Sequence, residues 1–388
     1  MRRYSAKSNT TNQPLPVALL MMTSTEIQAA CGVMCINRAA IVDNYRMLAR
    51  HAAPAQCGAV LKANAYGLGA ETIAPALYAA NCRIFFVAQL SEGVALRKIL
   101  PTDAMVVVLN GVMPEAMVFC FAQQITPLLN SIDQVMAWLT LLETRQQRRA
   151  VMIQLDSGMS RLGVMSQQLM RLAAIFRERN WPAPDYIISH LANADRPDHA
   201  LNMVQHARLQ QAKAVFPSSR FSLANSCGMF LHLGWREDLC RPGIALFGVT
   251  QPWFSRLLKP VFTLTLTILR VQDVPAGTPV GYGSTVTATR PLRIATISAG
   301  YADGVPRNMR PPAGVCWRGV RLPVLGRVCM DSFMVDASAV SPTAGDVVEF
   351  IGTGQTLEEV AAACDTIPYE IMTRLGARFQ RIMQPAGV

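Results

Sequence analysis

The chain has 388 residues, of which 51% are hydrophobic and 16% are charged, and its formal net charge is +11. This length suits two domains, and the hydrophobic fraction excludes global disorder. No apolar stretch approaches the length of a membrane span, and the Lys and Arg residues form no basic run. Nucleic-acid binding is therefore disfavoured, and pockets for phosphate or carboxylate groups are the milder explanation of the charge.

Residues 1–33 are predicted to be a flexible N-terminal extension outside the fold. Their apolar segment, 15–22, makes a poor signal peptide, because it is short and a long polar stretch separates it from Arg2 and Arg3. An alternative is that translation starts at Met21 or Met22. The ten cysteines of the chain are scattered without C-x-x-C or metal-ligand spacing, which predicts a reduced, cytoplasmic protein with no bound metal.

From residue 56 onward, short apolar runs alternate with segments whose apolar residues recur at helical spacing. The runs are rich in β-branched and aromatic residues, as buried parallel strands are. They cover residues 56–62, 84–88, 105–109, 125–129, 151–155, 186–190, 221–224 and 244–248. The helix-like segments include 70–80, 91–100, 131–144, 166–180, 200–216 and 227–233.

Eight strands alternating with helices predict an α/β fold, a (β/α)8 TIM-type barrel, over residues 34–259. A doubly wound sheet is the competing architecture, but it predicts a G-x-G-x-x-G turn, which the sequence lacks. After residue 260 the pattern changes. Residues 261–269 alternate between apolar residues and Thr, and later apolar runs are separated by Gly and Pro. Residues 260–388 are therefore predicted to form a mainly β C-terminal domain.

Polar residues follow several of the predicted barrel strands, at the ends where chemistry collects in such barrels. Strand one ends at Lys62, strand five runs into 156–163 (DSGMSRLG), and strand six ends at His190. Asn225 and Ser226 follow strand seven, and Arg241 introduces strand eight. A lone histidine is more often a core residue and a lone arginine a solvated one. Neither of these explanations predicts that all these polar groups share one end of the barrel.

Lys62 has the chemistry of a cofactor-binding lysine. Its apolar flank, residues 59–61, raises the cost of an ammonium charge and favours the nucleophilic neutral amine. Such a lysine can form a Schiff base with an aldehyde cofactor. On this segment alone, a strand end at the solvent boundary is the more common explanation of the lysine.

The ordered motifs of the chain resemble those of bacterial alanine racemases, which are fold-type III pyridoxal-phosphate enzymes. The resemblance covers residues 34–380. It rests on residues 62–67, 156–163, 225–226, 241–246, 280–283 (VGYG), 300–304 (GYADG) and 329–331 (CMD). It implies a homodimer that racemises L- and D-alanine with pyridoxal 5'-phosphate, with active sites shared between subunits.

The resemblance also implies roles for individual residues. Lys62 would bind the cofactor and act as one base, while Tyr282 from the other subunit would act as the opposite base. Arg241 would face the pyridine nitrogen, and His190 would link it to Tyr282. Cofactor binding is expected from Lys62, Tyr66, Asn225, Ser226, Arg241, Gly243, Ile244 and Tyr369, although Tyr369 is equally well explained as a partly buried strand-end residue. Substrate binding is expected from Arg161, Met330, Asp331 and Tyr301.

Three positions depart from the family pattern. Gln154 stands where many members carry a carbamylated lysine, Leu68 replaces a histidine, and Asn193 stands where small residues are common. These departures leave substrate strictness open, and racemases of serine, lysine or several amino acids are the nearest alternative. A non-catalytic pyridoxal-phosphate carrier would lack the second domain. A decarboxylase on this scaffold would prefer an acid where Arg241 stands.

Overall fold

The computed structural model describes residues 30–254 and 257–384, so most of the predicted extension, including Met21 and Met22, lies outside the described residues. The chain divides into two compact units. One spans Ala39–Pro260, and the other combines the segment ending at Arg38 with Val261–Val388. The first strand, β1 (Gly32–Ile36), belongs to the second of these units and pairs with its sheet.

Ala39–Pro260 contains a ring of parallel strands. The sheet runs in the order β3, β4, β5, β6, β7, β9 and β10. Hydrogen bonds from Asp238 N to Phe221 O and from Gly58 N to Cys240 O continue it through β11 to β2 and close the circle. The short strand β8 pairs with β7. The strands are β2 (Gln56–Cys57), β3 (Ala59–Val60), β4 (Ile84–Val87), β5 (Met105–Val108), β6 (Thr126–Leu129), β7 (Met152–Asp156), β8 (Val164–Met165), β9 (Tyr186–Ile188), β10 (Arg220–Ser222) and β11 (Leu239–Cys240).

Helices follow most of these strands and cover the ring with their apolar faces. Trp138 and Leu139, for example, are fully buried, and burial of such a side chain stabilises the fold by about 1.5–3 kcal/mol. Ser131 caps the fifth helix by accepting a hydrogen bond from Gln134 N at 3.2 Å. The helices are α1 (Arg38–Ala52), α2 (Ala70–Ala79), α3 (Leu90–Arg97), α4 (Met117–Ala122), α5 (Ile132–Arg145), α6 (Leu169–Glu178) and α7 (Ala200–Val215).

The TIM-type barrel is confirmed, but the predicted eighth strand at 244–248 is wrong. The eighth strand is β11, and Ile244–Phe247 forms a 3-10 turn. Pro242, which has no N–H, precedes that turn, and all four of its residues are buried. The apolar run therefore reflects burial and not a strand. The helix predicted over 227–233 is also wrong, because Gly228–Phe230 and Leu233–Trp235 are separate 3-10 turns.

The second unit is mainly β, as predicted, and its centre is a closed antiparallel barrel. The long strand β12 pairs with both β15 and β19, and the path β15-β18-β17-β16-β19 completes the ring. β1 pairs with β12, and β20 lies beside β1. The remaining elements are β12 (Phe262–Val274), β13 (Pro279–Val280), β14 (Val286–Thr287), β15 (Leu292–Ile297), β16 (Gly314–Trp317), β17 (Val320–Leu325), β18 (Phe333–Asp336), β19 (Val347–Ile351), β20 (Gln380–Met383), α8 (Leu357–Ala363) and α9 (Pro368–Arg374).

The alternating segment at the start of β12 is buried on both faces. Leu264 and Leu266 face one side, and Thr265 and Thr267, the intervening residues, are also buried. Thr265 Oγ1 donates to Val33 O, so the covering strand β1 satisfies its hydroxyl. In the described part of the chain, no helix is long and apolar enough to cross a membrane.

Candidate active site

Lys62 follows β3 and begins a turn with a left-handed backbone. The next four residues, Ala63 to Tyr66, all have φ between 51° and 56°. Left-handed backbone costs non-glycine residues roughly 1–2 kcal/mol each, so the surroundings must hold this turn. Ala65 N donates to Leu61 O at 2.9 Å, and Ala70 N donates to Asn64 Oδ1 at 2.8 Å. The turn therefore fixes Lys62 at the carboxyl end of the first barrel strand.

The Lys62 side chain is half-buried and has no hydrogen-bond or ion-pair partner among residues 30–254 and 257–384. Burial lowers the pKa of its ammonium, the positive charge of Arg161 lowers it further, and the carboxylate of Glu92 opposes both. An amine held in this way reaches its neutral, nucleophilic form more readily than a solvated lysine does.

His190 and Arg241 lie after β9 and β11, two further barrel strands. Burial lowers the pKa of His190 to about 3, and the positive charges of Arg241, Arg161 and Lys62 act in the same direction. His190 is therefore neutral at physiological pH. Asn225 Nδ2 lies 3.5 Å from His190 Nε2 and donates to Leu191 O at 3.3 Å.

Arg241 is only 4% exposed, and no carboxylate pairs with it in the described part of the chain. Its Nη1 donates to Ser222 Oγ, and its Nη2 donates to Ser189 O at 2.5 Å. Burial lowers its pKa to about 10, which still leaves the guanidinium charged at neutral pH. Because the group has five N–H donors, it retains capacity to bind a ligand acceptor.

A buried polar network supports His190 and Arg241 from α7. Gln205, which is fully buried, donates to His190 O at 2.8 Å and accepts from Ala192 N at 2.9 Å. Ser157 Oγ lies 2.6 Å from Ser189 Oγ, which donates in turn to Leu155 O. The network joins the ends of β7 and β9. No sequence pattern indicated Gln205, since a glutamine in a helix carries no signal of this kind.

Ser226 and the chain around Gly243 form a cradle that fits a phosphate. The N–H groups of Gly243 and Ala245 converge on Ser226 Oγ, at 2.9 and 3.3 Å. A Cβ at position 243 would lie 2.2 Å from the hydroxyl oxygen of Tyr66, so any larger residue there would have to displace the tyrosine. Convergent N–H groups and hydroxyls are the donors that phosphate prefers. Ile244 begins the 3-10 turn beside these donors. The Tyr66 ring packs against Phe247.

The loop after β7 carries Arg161. Asp156 Oδ1 accepts hydrogen bonds from Gly158 N, Met159 N and Ser160 N at 2.9–3.1 Å, which curls the loop. Arg161 is exposed and, within the described residues, makes no ion pair. Gln154 lies under this loop, where a Cβ at Gly163 would be 2.9 Å from its Cγ.

The remaining predicted residues lie on the second unit. Tyr282 begins a 3-10 turn between Gly281 and Gly283, both with positive φ, and is 71% exposed. Together with Cys329 and Met334 it lines a cavity of about 430 Å³. Tyr369 lies in α9 and not at a strand end, because Pro368 starts a helix there.

Tyr301, Met330 and Asp331 lie on two loops that contact each other. Ala302 N donates to Met330 O at 3.0 Å, and a Cβ at Gly300 would lie 2.2 Å from the same oxygen. Behind them, Arg378 binds the buried carboxylate of Asp303 through Nε and Nη2, at 2.6 and 2.8 Å. Its Nη1 binds Asp331 at 2.8 Å. No sequence motif indicated Arg378, which joins the two loops.

Comparison with known proteins gives the family of both units. Residues 36–251 match the model of the alanine racemase N-terminal domain, and residues 261–383 match that of the alanine racemase C-terminal domain. The chain is 83% identical over 366 residues to alanine racemase 3 of Salmonella typhi, covering 94% of this chain and 100% of that protein. It is 42% identical over 356 residues to the catabolic alanine racemase of Agrobacterium fabrum, covering 91% of this chain and 92% of that protein.

A solved structure shares the fold. Alanine racemase from Bartonella henselae with covalently bound pyridoxal phosphate matches with a TM-score of 0.87 and 43% sequence identity. The match covers 92% of this chain and 100% of that chain.

Proposed function

The chain belongs to the alanine racemase family, and from that premise we propose a two-base racemisation of alanine by Lys62 and Tyr282. The protein is an alanine racemase, an isomerase that uses pyridoxal 5'-phosphate. We assign cofactor binding to the barrel unit, Ala39–Pro260, and the second base, Tyr282, to the β domain that begins at Val261. The match of that β domain to the C-terminal domain model argues against a non-catalytic carrier.

The observation that carries the proposal is the state of Lys62. It is a half-buried amine without a partner among the described residues, its pKa is lowered, and it lies at the end of the first barrel strand. A structural lysine would be expected to reach solvent or pair with a carboxylate.

Bound pyridoxal phosphate withdraws electrons from the α-carbon of the substrate and so makes its proton removable. Racemisation then needs one base on each face of that carbon. Lys62 serves one face, and Tyr282, exposed on its glycine-flanked turn, serves the other. One group removes the proton while the other returns a proton with inverted configuration.

Arg241 and His190 are assigned to the control of protonation. A charged guanidinium cannot accept a proton, so Arg241 facing the pyridine nitrogen would leave that nitrogen unprotonated. Its burial without a carboxylate fits this role, because a carboxylate would neutralise it. His190, held neutral by burial and by three cations, can both donate and accept a hydrogen bond towards Tyr282.

The remaining residues are assigned to binding. The cradle supports phosphate binding, with contributions from Tyr66, Asn225, Ser226, Gly243, Ile244 and Tyr369. The unpaired guanidinium of Arg161 is suited to a substrate carboxylate, together with the backbone of Met330. Asp331 and Tyr301 complete the substrate side, with Tyr301 narrowing the entrance.

We propose that the enzyme is a homodimer in which Tyr282 of each subunit completes the site of the other. The high exposure of Tyr282, Tyr301 and Met330, at 71, 42 and 52%, supports an interface at this face. We further propose a cytoplasmic enzyme, in which reduced cysteines are stable, that supplies or degrades D-alanine.

Proton exchange in deuterated water tests the two-base assignment. By family resemblance, Lys62 serves D-alanine and Tyr282 serves L-alanine. Tyr282→Phe removes one proton carrier and leaves the shape of the side chain nearly unchanged. We expect racemisation to fall sharply in both directions, exchange on D-alanine to persist and exchange on L-alanine to be nearly lost. Equal loss of exchange on both isomers would contradict the assignment.

A racemisation screen over about twenty amino acids, with and without added cofactor, tests the substrate. Activity confined to alanine supports the proposal. Comparable rates on serine or lysine would show a broad racemase, and the exchange assay would remain valid for either outcome.

A further inference from the structure

Glu92 bridges the ends of two neighbouring barrel strands. Its Oε2 accepts hydrogen bonds from Ala88 N at 2.9 Å and from Gln89 N at 3.0 Å, both just after β4. Its Oε1 accepts from Ala63 N at 2.6 Å, just after β3. One carboxylate therefore holds three backbone donors drawn from two strand ends.

Capping of α3 explains only half of this geometry. Glu92 occupies the third position of α3, where a carboxylate commonly accepts from the residue before the helix. That contact uses Oε2. The bond from Oε1 leaves the helix and reaches the first left-handed residue of the Lys62 turn, 29 positions earlier in the chain.

A second capping glutamate offers a comparison. Glu359 holds the same position in α8, where its Oε2 accepts from Thr356 N at 2.9 Å and pairs with Arg321. Glu92 has no Lys or Arg nitrogen within ion-pair distance in the described parts of the chain. Its charge is instead directed to the backbone beside Lys62.

We infer that Glu92 is a positioning residue for Lys62. Its carboxylate holds the peptide between Lys62 and Ala63 at the start of the strained turn, and it supplies the negative charge that acts on the lysine. The inference deepens the proposed function and rests on it, because it concerns the lysine assigned to the cofactor.

The charges around Lys62 determine how Glu92 affects the pKa of the lysine. Arg161 acts on the lysine with the opposite sign to Glu92. Arg241 adds positive charge at the same end of the barrel, and His190, on which Lys62, Arg161 and Arg241 all act, is neutral near pH 7. Glu92 thus limits how far burial and Arg161 lower the pKa of Lys62. Its hydrogen bond also holds Ala63, the first left-handed residue, in place, and the position of Ala63 sets the direction of the Lys62 side chain.

The test uses cofactor-free full-length protein. Glu92→Gln replaces the carboxylate with an amide and so removes the negative charge. The NH2 group of the amide cannot accept a hydrogen bond, so at least one of the three backbone N–H donors loses its acceptor. The ionisation of Lys62 is measured from the pH dependence of its labelling by acetic anhydride, read by mass spectrometry. We expect the midpoint to fall by about 0.5–1 pH unit, a roughly three- to tenfold rise in neutral amine below the midpoint. The dissociation constant of pyridoxal phosphate should rise roughly tenfold, as for loss of a charged hydrogen bond.

Glu359→Gln is the matched control, because it removes the same charge from the same helical position in the other unit. It should leave the Lys62 midpoint and cofactor affinity unchanged. Glu92→Asp retains the charge on a shorter side chain, so the labelling midpoint of Lys62 should lie close to that of the unaltered protein. If Glu92→Gln behaves like Glu359→Gln, Glu92 is only a helix cap and the inference is wrong. Failure of the unaltered protein to bind pyridoxal phosphate would instead refute the proposed function.

Discussion

Gly243 offers a sharp test of the phosphate cradle, because neighbouring side chains fill the space around it. Its φ is −121°, outside the left-handed region that favours glycine. A Cβ at this position, however, would lie 2.2 Å from Tyr66 Oη, 3.1 Å from Tyr66 Cζ and 3.3 Å from Val60 Cβ. Gly243→Ala must therefore displace the tyrosine, and Tyr66 is nearly fully buried against Phe247.

The cost of this displacement can be bounded. Inserting one methyl group into a packed site costs about 1–3 kcal/mol. If the strain falls mainly on the cofactor-binding form, the dissociation constant of pyridoxal phosphate rises roughly 5- to 150-fold. The barrel itself should fold normally, since the 3-10 turn at Ile244–Phe247 keeps its buried side chains.

The assay titrates cofactor-free protein with pyridoxal phosphate and follows visible absorbance. Tyr66→Phe removes the hydroxyl responsible for the shortest contact, so Gly243→Ala should cost less in that background than in the unaltered protein. An equal cost in both backgrounds would refute the reasoning, because the clash with the hydroxyl could not then be the cause. Native affinity in Gly243→Ala alone would refute it as well.

Two further predictions concern the charge of His190 and the assembly. Below pH 6.5, the unfolded chain takes up a proton at His190 that the folded chain refuses until about pH 3, so the free energy of unfolding should fall as the pH falls through this window. Urea unfolding of cofactor-free protein at pH 7 and pH 5 should show a smaller loss in His190→Gln, and an unchanged loss would contradict the assignment. Mixing inactive Lys62→Ala and Tyr282→Phe homodimers under subunit exchange should restore activity, since one site of each heterodimer receives both native groups. A fully active monomer, or no recovery despite demonstrated exchange, would contradict a site shared between subunits.

The sequence predicted the barrel and the end at which its polar residues collect, because both follow from local patterns. Buried parallel strands require short apolar runs, and the residue after each run is placed by the strand itself. Lys62 and His190 could therefore be assigned to one rim of the barrel. Arg241 was placed before the predicted strand eight, and only the actual eighth strand, β11, puts it at the same rim. The eighth strand was misplaced for the same reason, since the apolar run 244–248 is buried in a 3-10 turn and periodicity does not distinguish the two.

The supporting contacts could not be predicted, since each joins segments far apart in the chain. A glutamate at the third position of a helix, as Glu92 is in α3, commonly caps that helix, but no sequence pattern indicates its bond from Ala63. Gln205 and Arg378 likewise look like ordinary polar residues until the fold brings their partners near. The left-handed turn at Ala63 to Tyr66 runs against the preference of its two alanines and its tyrosine and is maintained by such contacts.

The charges of the barrel rim explain why these contacts matter. Lys62, Arg161 and Arg241 carry positive charge at one end of the barrel, and Glu92 is the acidic group that acts on Lys62. Uncompensated buried charge destabilises a fold unless a ligand completes it. A phosphate at the Ser226 cradle and a carboxylate at Arg161 would each supply negative charge where the protein lacks it. Binding energy from these groups would then offset the strain of the turn and the burial of Arg241, so that the site is most stable when it is occupied.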